Sequence, residues 1–201
     1  MIVFLSPDAL RAARALARLD QRSVESRAHV SRKVLRACET DGSPTLEPIA
    51  RLRQFYDSLG IEFLGCLNFT TNRVVGAGVR WKYQASPDGA STGSQWHREH
   101  MGFAFTAARA LSGLEQRQVA SRAKLAPKQV RNLEQGYGGF TRRSFDTLRD
   151  YYEETGMEFL GVGVDVGGER SYFGVGVRWS PRSLEAEPAS GPEPASQPVP
   201  S

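Results

Sequence analysis

The stretch QRQVASRAKLAPKQVRNLEQG, residues 116–136, decides how the chain is read, because a near copy, QRSVESRAHVSRKVLRACETDG, stands at residues 21–42. Extended upstream, RAARALARLDQRSVESRAHVSRKVLRACE (11–39) aligns without a gap on TAARALSGLEQRQVASRAKLAPKQVRNLE (106–134), and about half the positions are identical. The repetition continues downstream. IARLRQFYDSLGIEFLG (49–65) answers FDTLRDYYEETGMEFLG (145–161), and VGAGVRW (75–81) answers FGVGVRW (173–179). Each copy is about 75 residues, far longer than a solenoid repeat and long enough for a core of its own.

The copies divide the chain into repeat 1 (1–81), a linker (82–100), repeat 2 (101–180) and a tail (181–201). The linker centre is rich in Ser, Gly, Pro and Asp, which reads as flexible. The tail is mostly Pro, Ser, Ala and Glu, with little to bury, and is expected to be disordered. Of the 201 residues, 26 are Lys or Arg and 22 are Asp or Glu, a net charge of +4. The stretch 182–201 holds Arg182 against Glu185, Glu187 and Glu193, so the rest carries +6. That balance favours an anionic partner without identifying it. Two unpaired-looking cysteines, Cys38 and Cys66, argue against a disulfide framework or a cysteine zinc site, and for a cytoplasmic protein. No apolar run reaches the roughly 20 residues of a membrane helix, and MIVFLSPDAL lacks the basic start of a secretory signal.

Helical spacing dominates the first 50 or so residues of each copy. Leu10, Ala13, Leu16 and Ala17 form a stripe behind a Ser6 cap and Pro7. Short helices are expected at 21–28 and 31–40, and again at 116–123 and 126–135. Thr45 then caps a helix with Leu46, Ile49, Leu52, Phe55 and Tyr56, ending before Gly60. Thr141 caps its counterpart with Phe145, Leu148, Tyr151 and Tyr152, ending at Gly156. IEFLGCLNF and RVVGAGVRWKY, like MEFLGVGVDV and RSYFGVGVRW, read as β-hairpins. A lone hairpin is marginal in water, so the two hairpins are expected to pair edge to edge or face to face. The expected class is mainly α with small β-hairpins.

Two short helices joined by the tight KLA connection are the core of a helix–turn–helix. TAARALSGLEQRQVASRAKLAPKQVRNLEQG resembles the Cro and lambda-repressor type of helix–turn–helix, the XRE family, over nearly all of 6–81 and 101–179. The matching positions are Arg109 in the first helix, Gln116 opening the second, Ala120 within it, and Val130 and Glu134 in the third. The resemblance implies two tandem lambda-repressor-like domains, each followed by a β-hairpin. It also implies an Arg109–Glu134 ion pair, matched in repeat 1 by Arg14 and Glu39. The expected DNA-facing set is Gln116, Arg117, Lys128, Gln129, Arg131 and Asn132, with Gln21, Arg22, Ser31, Arg32, Lys33 and Arg36 in repeat 1. Asn and Gln match adenine edges, and Arg and Lys match guanine or phosphate.

Repeat 1 departs from the pattern. Glu25 stands at the Ala120 position, where a carboxylate in a tight helix contact is costly unless it finds a partner or solvent. Cys38 replaces Leu133, and His29 and Lys124 occupy a turn position that many family members fill with glycine. Either both repeats read double-stranded DNA, as a covalent pseudo-dimer on two unequal half-sites about 10 bp apart, or repeat 2 reads alone. The expected protein is a bacterial, cytoplasmic, nucleoid-associated transcription regulator, read first as a repressor. The alternative is a protein–protein module, an antitoxin or regulator adaptor, with one or no DNA-reading unit. A homodimer or protein partner through the hairpins stays open.

No enzyme is expected. WHREH (96–100) sets His97 and His100 beside Glu99, but the zincin order is absent and a third ligand is missing. GAGVRW and GVGVRW are not the full dinucleotide fingerprint; glycines in strands more often allow close backbone approach. No cofactor, metal site or membrane partner is expected.

Overall fold

Ser6 starts the first helix: its Oγ accepts a hydrogen bond from the Ala9 N–H at 3.4 Å, with Pro7 at the next position. In this computed structural model, residues 5–40, 45–68, 73–84, 96–136 and 139–181 are described. Repeat 1 runs through α1 (Pro7–Leu16), α2 (Gln21–Ala28), α3 (Arg32–Glu39) and α4 (Leu46–Ser58), then β1 (Ile61–Asn68) and β2 (Arg73–Trp81). After the two-residue β3 (Arg98–Glu99), repeat 2 runs through α5 (Phe105–Ser112), α6 (Gln116–Arg122), α7 (Pro127–Gln135) and α8 (Arg142–Glu154), then β4 (Met157–Val166) and β5 (Glu169–Trp179). The expected tail from 182 onward lies outside the described residues, as does 85–95 of the linker.

Each helical cluster closes on its own apolar side chains. Leu10, Val24, Leu35, Leu52 and Tyr56 are buried in repeat 1, as are Leu111, Val119, Val130, Leu148 and Tyr152 in repeat 2. Each fully buried side chain of this kind contributes about 1.5–3 kcal/mol relative to exposure. Leu46, expected on the apolar face of α4, is instead exposed. Its counterpart in repeat 2 is the exposed Arg142, so this position faces solvent in both copies.

The chain is more mixed than the mainly helical class expected, because the hairpins merge into one antiparallel sheet. β1 pairs with β2 and β4 with β5, and the inner strands β2 and β5 pair with each other. Their register sets Gly78 opposite Arg178, Val79 opposite Val177 and Arg80 opposite Gly176. In repeat-equivalent terms this ladder is its own mirror: Val79 and Val177 are counterparts, and each glycine faces the other copy's arginine. An approximate two-fold axis therefore passes between the two valines, the geometry of an isologous interface. Glycine is required at both flanks. A Cβ on Gly78 would sit 2.3 Å from the Val177 carbonyl oxygen, and one on Gly176 would sit 2.2 Å from that of Val79.

The same axis pairs α1 with α5. Both helices are buried on two faces, which explains their alanines: Ala12, Ala13, Ala107 and Ala108 are all inaccessible to solvent or nearly so. One face meets the home unit and the other meets the opposite helix. Residues from both repeats form one hydrophobic cluster rather than two. Beyond each inner strand the chain crosses the other copy. Tyr83 packs over Gly174, and Pro181 packs over Gly76.

The linker ends earlier than its sequence suggests. Arg98 and Glu99 pair with Phe173 and Tyr172 of β5, and His97 stacks on Trp81 with ring centres 3.6 Å apart. The WHREH segment is thus built into the sheet edge. His97 Nε2 lies 2.9 Å from Glu99 Oε1, and Glu99 also takes Arg18 at 3.1 Å. Among the described residues no group of three metal-ligating side chains occurs, and no helix is long and apolar enough to cross a membrane.

Candidate nucleic-acid interface

Helix α2 is joined to α3, and α6 to α7, by turns that reverse the chain in a few residues. His29 and Lys124 occupy equivalent places in these turns, each at φ 53°, in the left-handed region that glycine would enter without cost. Side-chain caps then start the third helices by different chemistry. Ser31 Oγ accepts from the Val34 N–H at 3.4 Å, whereas Gln129 Oε1 accepts from the Ala126 N–H at 2.8 Å.

A buried polar triad fixes each third helix to its unit. Glu39, 2% exposed, accepts a two-pronged contact from Arg14, at 2.6 and 3.0 Å, and a third hydrogen bond from Gln21 Nε2 at 3.0 Å. Glu134 repeats the pattern with Arg109 and with Gln116 Nε2 at 2.9 Å. Burial alone would lower the Arg14 pKa, but the hydrogen bonds and charge of Glu39 outweigh it and the net shift is upward. Removing one partner of such a pair strands the other charge, at a cost of about 3–5 kcal/mol. Beneath the triads lie Tyr56 and Tyr152, whose phenols are pushed well above their ordinary value by burial and by the adjacent glutamates.

Gln21 and Gln116, both in the expected DNA-facing set, thus each donate an amide N–H to these glutamates. What remains free at the start of α2 and α6 is the neighbouring pair Arg22 and Arg117, both exposed. On α7, Lys128 and Arg131 are exposed, while Gln129 is half-buried in its cap and Asn132 is half-buried. Val130 faces the core. On α3, Arg32, Lys33 and Arg36 are exposed and Leu35 takes the inward place of Val130. Ser31 is exposed but engaged as the cap.

Glu25 finds the partner its position demands. It accepts from the Arg32 backbone N–H at 3.2 Å and pairs with the Arg32 side chain at 3.1 Å. The carboxylate swings to the start of α3 and leaves the helix contact, while Ala120 stays buried between α6 and α7. Repeat 1 therefore presents Lys33, Arg36 and Arg22 as exposed cations without a salt bridge among the described residues, with Arg32 partly neutralised. Repeat 2 presents Lys128, Arg131 and Arg117.

Arg11 was not legible as a special residue. It lies at the seam, in a groove of about 850 Å³ between α1 and α5 that also holds Arg14, Arg18 and Arg109. Its Nε donates to the Ala110 carbonyl of α5 at 3.1 Å, and its Nη1 donates to the Glu39 carbonyl that ends α3. The repeat alignment carried one signal: Arg11 stands where repeat 2 has Thr106, directly before the shared run AARAL.

Comparison with family models, curated proteins and solved structures finds no match.

Proposed function

We propose that the chain is a sequence-specific double-stranded DNA-binding transcription regulator that acts as a covalent pseudo-dimer. One observation carries this reading. The self-complementary β2–β5 register relates α3 and α7 by an approximate two-fold axis, and each of these helices bears exposed cations. A two-fold pair of helix–turn–helix units suits a pseudo-palindromic operator, whose half-sites lie about 10 bp apart or a multiple of that. The reading helices share a lysine (Lys33, Lys128) and an arginine (Arg36, Arg131) but differ in setting Arg32 against Pro127 and Ala37 against Asn132, so the half-sites should be related but unequal. Helix residues would set specificity, and Arg22 and Arg117 would hold phosphates. Occlusion of a promoter, as a repressor in the cytoplasm, is the simplest mode for such a protein, and the XRE-like residue pattern supports it.

The test is selection of genomic fragments by the purified full chain at two salt concentrations. The expected product is one motif with two unequal halves. Substituting alanine for Arg131 or for Arg36 should then weaken specific binding by about 1–3 kcal/mol and relax preference in one half-site only. A motif with a single half, lost only with Arg131→Ala, assigns reading to repeat 2 alone. The Glu25–Arg32 pair favours a second reading for repeat 1, a protein-docking unit, because it removes one cation from α3. Affinity for DNA that is absent, or that lacks a steep salt dependence, would leave that protein–protein reading standing for the whole chain.

A further inference from the structure

The two repeats share their framework but not the chemistry of the seam between α1 and α5. At one position repeat 1 has Arg11 and repeat 2 has Thr106; at another, repeat 1 has Arg18 and repeat 2 has Gly113. The Thr106 hydroxyl donates to the Glu134 carbonyl at 3.1 Å, a bond that stays inside repeat 2. Arg11 makes the equivalent bond to the Glu39 carbonyl and adds a second, across the seam, to Ala110. Both acceptors lie in the closing turns of helices, where the helix dipole is negative; the Ala110 carbonyl also takes the Gly113 N–H at 3.2 Å and offers Arg11 its second lone pair. A cation there is held by two helix ends at once. Gly113 leaves room for it: a Cβ at that position would lie 3.3 Å from Arg11 Nη2. Were the seam formed by two copies of repeat 1, Arg18 would occupy that space and face Arg11, like charge against like.

We infer that Arg11 is a positioning residue that ties the reading helix α3 to the opposite repeat and so sets the placement of α3 relative to α7. Among the described residues helix α7 has no matching tie, since the Thr106 hydroxyl bonds within its own repeat. The asymmetry makes the orientation of α3 depend on repeat 2, whereas α7 is held by its own unit. The geometric claim stands on the seam alone; its consequence for operator spacing rests on the DNA-binding reading above.

The first readout uses no DNA. Spin labels are attached at Lys33→Cys and Lys128→Cys, one on each third helix, in a Cys66→Ser background that removes the exposed native thiol and leaves the buried Cys38. Electron–electron distance distributions are compared for the full chain with Arg11, with Arg11→Thr, with Arg11→Met, which keeps the aliphatic stem, and with Thr106→Ala. A single narrow distribution is expected for the parent and for Thr106→Ala, and one broadened at least twofold for both Arg11 variants. An unchanged width in the Arg11 variants overturns the inference. So does loss of fold in both, because the side chain would then be part of the framework rather than a tie. The second readout is selection of unlabelled protein on operators with randomised spacers. The parent should choose one spacing, and Arg11→Thr should accept spacers one or two base pairs longer or shorter, with affinity for isolated half-sites unchanged. Broadened distances with no sequence-specific binding by any variant would keep the tie and sink the DNA reading. Broadened distances with an unaltered spacing choice would overturn the role in operator geometry.

Discussion

At the scale of single residues, the duplication serves as an internal control. Among the described residues, three that bear a side chain sit at positive φ: Arg18, His29 and Lys124. The place of Arg18 is taken in repeat 2 by Gly113, at φ 67°, while His29 and Lys124 are each other's counterparts. Left-handed backbone costs a non-glycine residue about 1 kcal/mol, partly offset when glycine replaces it by the entropy glycine loses on folding. His29→Gly and Lys124→Gly should therefore each stabilise the chain by about 0.5–1 kcal/mol, read from the denaturant midpoint at unchanged slope. The turn position was legible from the family resemblance, which places there a glycine that both copies lack. The Arg–Glu pairs were legible too, as what the family resemblance implies, with the matching residues present in both copies. The engagement of Gln21 and Gln116 was not, because spacing places a side chain near a helix start without saying which acceptor it will choose. The carboxylates of buried Glu39 and of Glu134, whose side chain is 6% exposed, proved the stronger claimants.

At the scale of elements, the helices keep their expected places and Ser6 and Thr141 cap as expected, whereas Thr45 stands at the start of α4 without a side-chain cap bond and Leu46 leaves the apolar face. The hairpins were local decisions. Their meeting was foreseen as a choice between edge and face, and the edge was taken because β2 and β5 carry the glycines that allow it. GAG and GVG held the signal: a strand interior lacking side chains at alternate positions invites another backbone. Gly176→Ala puts a methyl group where the Val79 carbonyl and the Arg80 side chain already are, with contacts of 2.2 and 2.4 Å. That overpacking should cost about 1–3 kcal/mol. Amide exchange should then quicken along β2 and β5 at their shared ladder, with the β1–β2 ladder still protected. Uniform protection across the sheet after this substitution would contradict the register described. The β3 pairing had no comparable signal, since two residues carry no period and their partner lies more than seventy positions away.

At the scale of the whole molecule, Glu99 is a joint between repeats. Burial raises its pKa, but His97 and the Arg18 guanidinium lower it further, and the net result lies below the ordinary 4.5. A depressed folded pKa means the stabilisation is fully present above the unfolded value and disappears as pH falls through the folded one. The stability difference between the parent chain and Glu99→Gln should thus be flat above about pH 5 and shrink on acidification below about pH 4.5. A difference that grows with acid would contradict the paired carboxylate.

The crossing of each inner strand's exit over the other copy has a topological consequence. Trp179 Nε1 donates to Asp8 Oδ2 at 2.8 Å, so the end of β5 rests against the start of α1, much as the segment after β2 leads on to α5. The path from 181 back to 5 is therefore the symmetry mate of the linker that nature used. A circular permutant that joins these ends with a copy of 82–100 and opens the chain within 85–95 should keep the same fold, with repeat 2 now leading. Its melting temperature should fall within a few degrees of the parent's, and it should select the same DNA. The order in which the halves are translated would then be an accident of the gene, while their pairing is a property of the fold.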